Sequence, residues 1–296
     1  MLYNRPVASS MGYAYMPVNV GSMVNHGLEL DLWGELVRLQ NFSLSVNFNL
    51  THFKNKIKKL APELDGELID GARIFREGES MYQRYLRKYA GVDPETGNAL
   101  YYKDIKDENG NVTGCETTED WSKADQYASG DILPKVYGGF GLNLKAYGFD
   151  FGMNFAYQLG GKVYDNTYAM LMHGGTSASE AGTNWHKDIL NAWTPDNKYT
   201  DVPKIQYGNK YRPNRPSDRF MTSSNYLSIN NITFGYSLPK RLIRHYATAV
   251  RIYFVADNVA VFSARKGLDP RQGYLSSGND TYSPIRTISG GISLTF

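Results

Sequence analysis

The 296-residue chain has one cysteine, Cys115, so no internal disulfide braces it. Many exported proteins also lack disulfides, and the count does not fix a compartment. Long apolar runs are missing as well. No stretch approaches the roughly 18 apolar residues that a spanning helix needs, and mean hydropathy is −0.45. A helical membrane protein is excluded. A barrel is not, because its strands show only alternate residues to lipid and average out as polar. Charge of one sign is scarce too: 32 Lys and Arg against 29 Asp and Glu leave a net +3. No basic run interleaved with aromatics occurs, so no nucleic-acid partner is expected. Met1-Leu2-Tyr3-Asn4-Arg5-Pro6 has neither a charged leader nor an apolar core. It is no signal peptide, and an exported reading therefore carries the expectation that residues 1–296 are a fragment.

Chemistry-bearing patterns are equally sparse. The five histidines (His26, His52, His173, His186, His245) are scattered, without metal-ligand spacing. Asp107-Glu108-Asn109-Gly110-Asn111 superficially resembles a calcium loop. It lacks glycine at the sixth position and a terminal glutamate, and reads better as a hairpin tip. Gly138-Gly139-Phe140-Gly141 lies inside a strand pattern, where glycines mark bends or close approaches rather than a phosphate loop. No Ser-His-Asp or Cys-His order is arguable. No metal, no cofactor, no catalytic residue and no enzyme are expected.

What is abundant is Tyr (23), Phe (13) and Gly (29), which suits an all-β protein with aromatic belts. The main signal is alternation. Over 42–51, Phe42, Leu44, Val46, Phe48 and Leu50 share one parity and Ser43, Ser45, Asn47, Asn49 and Thr51 the other. A pleated strand puts those sets on opposite faces. The pattern recurs at Leu28, Leu30 and Leu32. It recurs at Phe149, Phe151, Met153, Phe155, Tyr157 and Leu159, and at Ile288, Ile292, Leu294 and Phe296. Val136–Ala146 repeats it more weakly. The segment 226–236 changes phase at Asn230-Asn231, which predicts a β-bulge. A strand of ambiguous phase spans 250–257, and weaker ones span 82–92 and 99–103.

Those segments make about nine strands, an odd number where single-chain bacterial barrels have an even one. If each reverses direction, the connections 37–41, 93–98, 147–148 and 237–249 fall at one rim. The longer ones, 54–81, 104–134, 160–225 and 258–285, fall at the other. Short turns at one rim and long loops at the other describe an outer-membrane barrel; in a compact soluble domain such loops are out of place. The loops carry Trp121, Trp185 and Trp193, whose rings suit sugars or amphipathic peptides but serve equally to pack loop on loop.

Ordered short motifs then add a resemblance. Val24-Asn25-His26-Gly27-Leu28-Glu29-Leu30, Lys88-Tyr89-Ala90-Gly91-Val92-Asp93-Pro94-Glu95-Thr96-Gly97 and Gly160-Gly161-Lys162-Val163-Tyr164-Asp165 come first. Ala192-Trp193-Thr194-Pro195, Ser217-Asp218-Arg219-Phe220, Asn231-Ile232-Thr233-Phe234-Gly235-Tyr236-Ser237-Leu238-Pro239 and Gly267-Leu268-Asp269-Pro270 follow. Together they resemble, in order along nearly the whole chain, the C-terminal barrel region of the SusC/RagA family of TonB-linked outer-membrane proteins of Bacteroidetes-type bacteria. The resemblance implies an antiparallel transmembrane β-barrel segment within a barrel of about 22 strands. Residues 1–296 would be its C-terminal part, with signal peptide, carboxypeptidase-like domain, plug and early strands absent. It implies import of oligosaccharides or peptides, with a SusD-like surface lipoprotein as partner and TonB reached through the missing N-terminal part. Outer-membrane lipid and the barrel-assembly machinery are the other implied partners, and the last strand, ending in Phe296, would carry the assembly signal. Two competing readings are an independent small outer-membrane barrel and a soluble carbohydrate-binding β-protein. The first predicts heat-modifiable migration of the isolated chain, the second a fold that survives in water without detergent.

Overall fold

The computed structural model describes residues 2–180, 182–272 and 284–296. Its centre is one antiparallel sheet of seven strands: β1 (Gly21–Leu39), β2 (Phe42–Leu60), β3 (Val136–Ala146), β4 (Phe149–Leu159), β5 (Tyr226–Ser237), β6 (Ala249–Ser263) and β7 (Thr287–Thr295). Spatial order follows chain order, so each strand pairs with the one before and the one after it. A meander of this kind gives every interior backbone group a partner on the neighbouring strand, which is the condition for strands to lie in hydrocarbon.

Register explains the alternation. Residues opposite one another share a face, and one row runs Leu39, Phe42, Ala146, Phe149, Tyr236, Ile252, Ile292. The next runs Val37, Leu44, Leu144, Phe151, Phe234, Phe254, Gly290, and the one beyond it Gly34, Val46, Leu142, Met153, Ile232, Ala256, Ile288. The three apolar rows read from separate stretches of sequence therefore form one continuous face. They are not covered by a second layer: Ile292 is 66% exposed, and Leu32, Phe234, Ile252 and Phe254 are exposed too. From Phe42 to Leu50 the band spans about 26 Å along the strand. At a tilt of about 40° that is about 20 Å of height, close to the apolar band of an outer-membrane barrel. The buried apolar clusters lie elsewhere, among the long connections and the outer end of β2.

The phase change at Asn230 is a bulge, as the sequence pattern predicts. Ile229 and Asn231 are successive partners of both β4 and β6, and Asn230 is skipped in each register. The bulge keeps Leu227 and Ile229 on the same face as Ile232 and Phe234 despite their opposite parity. The ambiguous segment also resolves. In β6, Val250, Ile252, Phe254 and Ala256 join the apolar face, while Arg251, Tyr253 and Asp257 lie opposite polar or glycine partners.

Two of the nine expected strands are not in the wall. Segment 82–92 is split into Gln83–Arg87 and Tyr89–Val92, and each half joins a small sheet within the connection 61–135, as does Ala99–Lys106. The reason is chemical. Arg84 shares parity with Leu86, so neither face of that segment is apolar enough for lipid. The turn 93–98 moves with it, away from the short rim. Removing two strands leaves the direction of all others unchanged, so the asymmetry of the rims survives. The hairpin turns 40–41 and 147–148 and the connection 238–248 lie at one end, and 61–135, 160–225 and 264–286 at the other. The last of these includes 273–283, outside the described residues. Leu2–Pro6 and Tyr15–Asn19 pair as a separate ribbon.

The turn between β3 and β4 needs positive φ at both central residues, 52° at Tyr147 and 90° at Gly148. That matches the twist of a two-residue hairpin. Gly148→Val is expected to cost about 1–2 kcal/mol from the left-handed backbone, with further crowding where a Cβ would meet the Ser237 carbonyl at 3.0 Å. Urea titration of the detergent-folded protein reads that loss; an unchanged midpoint would refute the turn geometry.

Candidate functional site

The face opposite the apolar one is largely polar, with Trp33 and Val255 as exceptions. One row runs Trp33, Asn47, Gly141, Asn154, Asn231, Asp257, Thr287. Another runs Glu35, Ser45, Asn143, Gly152, Thr233, Val255, Ser289. Toward the short turns, Arg251 Nη2 and Nε reach Asp150 at 2.5 and 3.0 Å. The pair crosses over β5 at Gly235, where a Cβ would lie 2.5 Å from Asp150 Oδ1 and 2.6 Å from Arg251 Nη2. Glycine there is what lets the guanidinium and carboxylate meet. This face borders a hollow of about 1020 Å³, lined by Glu35, Arg38, Ser43, Lys145, Asp150 and Arg251 among others.

At the opposite rim the long connections fold into a layer with structure of its own. Connection 61–135 forms a four-stranded sheet (Glu67–Asp70, Arg73–Arg76, Gln83–Arg87, Gln126–Asp131) and a three-stranded one (Tyr89–Val92, Ala99–Lys106, Val112–Thr118). The second contains the expected hairpin tip, closed by Asp107 Oδ1 accepting from the Asn109 and Asn111 amides at 2.9 and 2.8 Å. Connection 160–225 contributes Lys162–Tyr164 paired with Met221–Ser223 and a short helix, Asn166–Leu171. Asp165 caps that helix by accepting from the Tyr168 amide at 2.9 Å. Its second oxygen takes Arg265 Nη1 at 3.0 Å, and the same guanidinium lies 3.5 Å over the Tyr168 ring. One arginine so ties connection 264–286 to connection 160–225.

The three candidate tryptophans sit in this layer at three different contacts. Trp121 donates its indole N–H to the Pro216 carbonyl at 2.8 Å and carries the Arg87 guanidinium 3.7 Å over its ring. Trp193 donates to the Pro94 carbonyl at 3.0 Å, and a Cβ on Gly97 would fall 2.5 Å from its ring. Both are rivets between 61–135 and 160–225. Trp185 stays within its own loop, stacked on His173 at 5.3 Å and donating to its carbonyl at 2.9 Å, with 44% of its surface exposed. Trp193→Ala is expected to loosen the layer by about 2 kcal/mol, somewhat below a fully buried Trp→Ala change. Faster proteolysis within 61–135 and an unchanged wall is the result to look for; equal cleavage rates would show the contact to be idle.

Ser217-Asp218-Arg219-Phe220 is the hub that sequence reasoning noted only as a motif. Phe220 is fully buried in the main cluster of the layer with Ala169, Met172, Ile189, Ala192 and Val202. Asp218 Oδ1 accepts from the Tyr89 amide at 2.7 Å. Burial pushes the Asp218 carboxyl up against the pull of that hydrogen bond, and burial raises the Tyr101 and Tyr164 phenols to about 12. Glu180 goes the other way. Burial works to raise it, but Thr176 donates from Oγ1 at 2.6 Å and from its amide at 3.0 Å, and Asn214 and His173 add to the downward pull. Its folded pKa lies below the unfolded one, so its contribution is present above the ordinary carboxylate range and lost as pH falls through the folded value. Thr176 amide protection is expected to drop only as pH falls beneath the ordinary glutamate range, and Glu180→Gln to remove that acid step. Protection independent of pH in the unsubstituted protein would rule this out.

The fold of this chain occurs in a known structure over the chain's full length. No family model matches. TonB-dependent receptor P3 of Formosa agariphila is 28% identical over 332 residues, covering 100% of this chain and 31% of the relative. TonB-dependent receptor SusC of Bacteroides thetaiotaomicron is 26% identical, covering 98% of this chain. The structure of the RagAB peptide transporter superposes with a TM-score of 0.80 at 27% identity, over 100% of this chain and 32% of that one. The chain is SusC/RagA-like. It spans about a third of the length of these relatives. The SusC/RagA-like sheet is an outer-membrane barrel wall, and among the described residues it is not closed: β1 and β7 are its edges. A Cβ on Gly138 would stand 2.1 Å from the Asn49 carbonyl oxygen, so the strand pair β2–β3 closes at that point only with glycine.

Proposed function

We propose that this chain is the C-terminal part of a TonB-dependent outer-membrane transporter that imports oligosaccharides or peptides together with a SusD-like surface lipoprotein. The observation that carries this is the division of one sheet into an exposed apolar face and a largely polar face, with the long connections gathered on one rim. The apolar face meets outer-membrane lipid and the polar face a hydrated lumen. The loop layer is where substrate and lipoprotein are met, with Trp121, Trp185 and Trp193 bordering the vestibule through the ring edges their loop contacts leave free. Contact with TonB belongs to the part of the protein outside this chain. Phe296, exposed at the end of β7, is the signal read by the barrel-assembly machinery. The test is made in cells producing the complete protein with residues 166–215 replaced by a short Gly-Ser linker. Uptake of labelled oligosaccharides and of labelled peptides, measured separately, is expected to fall at least tenfold for one class while the protein still reaches the outer membrane. Uptake of both at the unsubstituted rate would refute the assignment.

A further inference from the structure

We infer that the outer loop layer contains an oxyanion site built on Arg84, with Arg73 and Lys162 beside it, for a carboxylate or sulfate group. This goes beyond the transport reading and stands or falls without it.

The site follows from sheet register. Gln83–Arg87 lies between Arg73–Arg76 and Gln126–Asp131, and Arg84 is the cross-strand partner of Arg73 on one side and Gly130 on the other. Partners share a face, so two guanidinium groups stand side by side, an arrangement that is repulsive in a sheet. The third place in the row has no side chain. A Cβ on Gly130 would lie 2.7 Å from Lys162 Cδ and 3.3 Å from its Nζ. The lysine stem occupies that space and brings a third cation to the row, its ammonium donating to the Ser129 carbonyl at 3.0 Å.

No carboxylate reaches Arg84: Asp70 is the partner of Arg73 on the far side of the row, and Asp218 acts on Lys162 through its field alone. Arg76, on the same strand as Arg73, pairs with Glu67 and Glu79, and Arg251, Arg265 and Arg271 pair with Asp150, Asp165 and Asp269. Among the described residues no ion pair within 4.0 Å involves Arg73, Arg84 or Lys162. Arg84 is the decisive member. It is 9% exposed, and its Nε is sealed from solvent without an acceptor. Burial first and Arg73 second hold its pKa below the ordinary guanidinium value, yet arginine stays charged at any physiological pH. A buried, unpaired cation is among the costliest features a fold can carry. A trapped water would satisfy Nε but would leave the repulsion from Arg73 untouched. An oxyanion beside the two guanidinium groups answers that repulsion, because a guanidinium fork binds two oxygens of one carboxylate or sulfate.

The test uses the complete protein in detergent. Thermal unfolding is followed with sodium sulfate, with trigalacturonate, and with maltotriose and sodium chloride as neutral and ionic-strength controls. Sulfate or trigalacturonate is expected to raise the midpoint where the controls do not. Sulfate alone acting points to a free anion; trigalacturonate acting at least tenfold lower concentration points to an anionic group carried on a larger ligand. Arg84→Gln is expected to abolish the shift and Arg73→Gln to weaken binding about tenfold. Arg84→Met, without anion, is expected to be as stable as the unsubstituted protein or more so. Should the Arg84 variants not fold, Arg73→Gln and Lys162→Gln carry the test. No anion-specific shift in the unsubstituted protein, or a full shift in the variants, overturns the site.

Discussion

Met153→Arg is expected to keep the protein out of the outer membrane, while Asn154→Arg, one residue along the same strand, is expected to be tolerated. Met153 lies mid-band on β4, between Leu142 of β3 and Ile232 of β5. An arginine at the midplane of a barrel's lipid face costs about 2–4 kcal/mol. That is a large share of the 5–15 kcal/mol by which folded proteins are usually stable. Asn154 is exposed on the other face, opposite Gly141 and Asn231. Asn231 in turn donates to Asp257 Oδ1 at 2.6 Å, so an arginine at 154 finds water and an acidic neighbour nearby. The heat-modifiable fraction in outer-membrane preparations, with urea midpoints in detergent, separates the two variants. Equal behaviour would mean that the faces have been assigned wrongly.

Produced by itself, the chain is expected to form no conducting pore. Its sheet has two free edges, along the 19 residues of β1 and the 9 of β7. Unpaired backbone groups on a lipid-exposed edge each cost several kcal/mol, so a lone seven-strand sheet in hydrocarbon carries a penalty far beyond the stability of any domain of this size. The same edges are templates for association with other chains. Planar-bilayer recordings of the refolded chain are expected to show no discrete conductance levels. Reproducible unitary steps would show that these strands close a barrel unaided, and would favour the small independent barrel over the larger one.

Much of the wall is legible in the sequence because lipid imposes a strict rule. Phe42–Leu50, Phe149–Leu159 and Ile288–Phe296 keep period two on the apolar side, Gly290 apart, since a polar residue without a partner is costly there. Even the interruption at Asn230 is readable, as one extra residue moves the apolar set to the other parity. The lumen side obeys no such rule. Tyr253 and Val255 are as compatible with a hydrated face as Arg251 and Asp257, which is why β6 alone shows no clear phase. The loop layer is harder still. Gln83–Arg87 and Ala99–Lys106 have strand-like sequences but are half-buried against other loops, so neither face carries a pattern that distinguishes them from wall strands. The roles of Trp121 and Trp193 depend on the carbonyls of Pro216 and Pro94, about a hundred residues away along the chain, and no local pattern encodes such a contact. The clustering of Arg73, Arg84 and Lys162 was invisible for the same reason: it exists only in the register of the loop-layer sheet. A small signal was there in retrospect, since Arg84 shares the parity of the buried Leu86.

The central claim is that one face of this sheet touches acyl chains and the other faces water. Site-directed spin labels placed singly from 149 to 159, in the complete protein carrying Cys115→Ser and reconstituted in lipid vesicles, test it directly. Labels at 149, 151, 153, 155, 157 and 159 should collide with dissolved oxygen, and those at 150, 154 and 156, where the opposite face is open, with a water-soluble nickel chelate. Accessibility that fails to alternate, or odd-numbered labels shielded from both reagents, would contradict it.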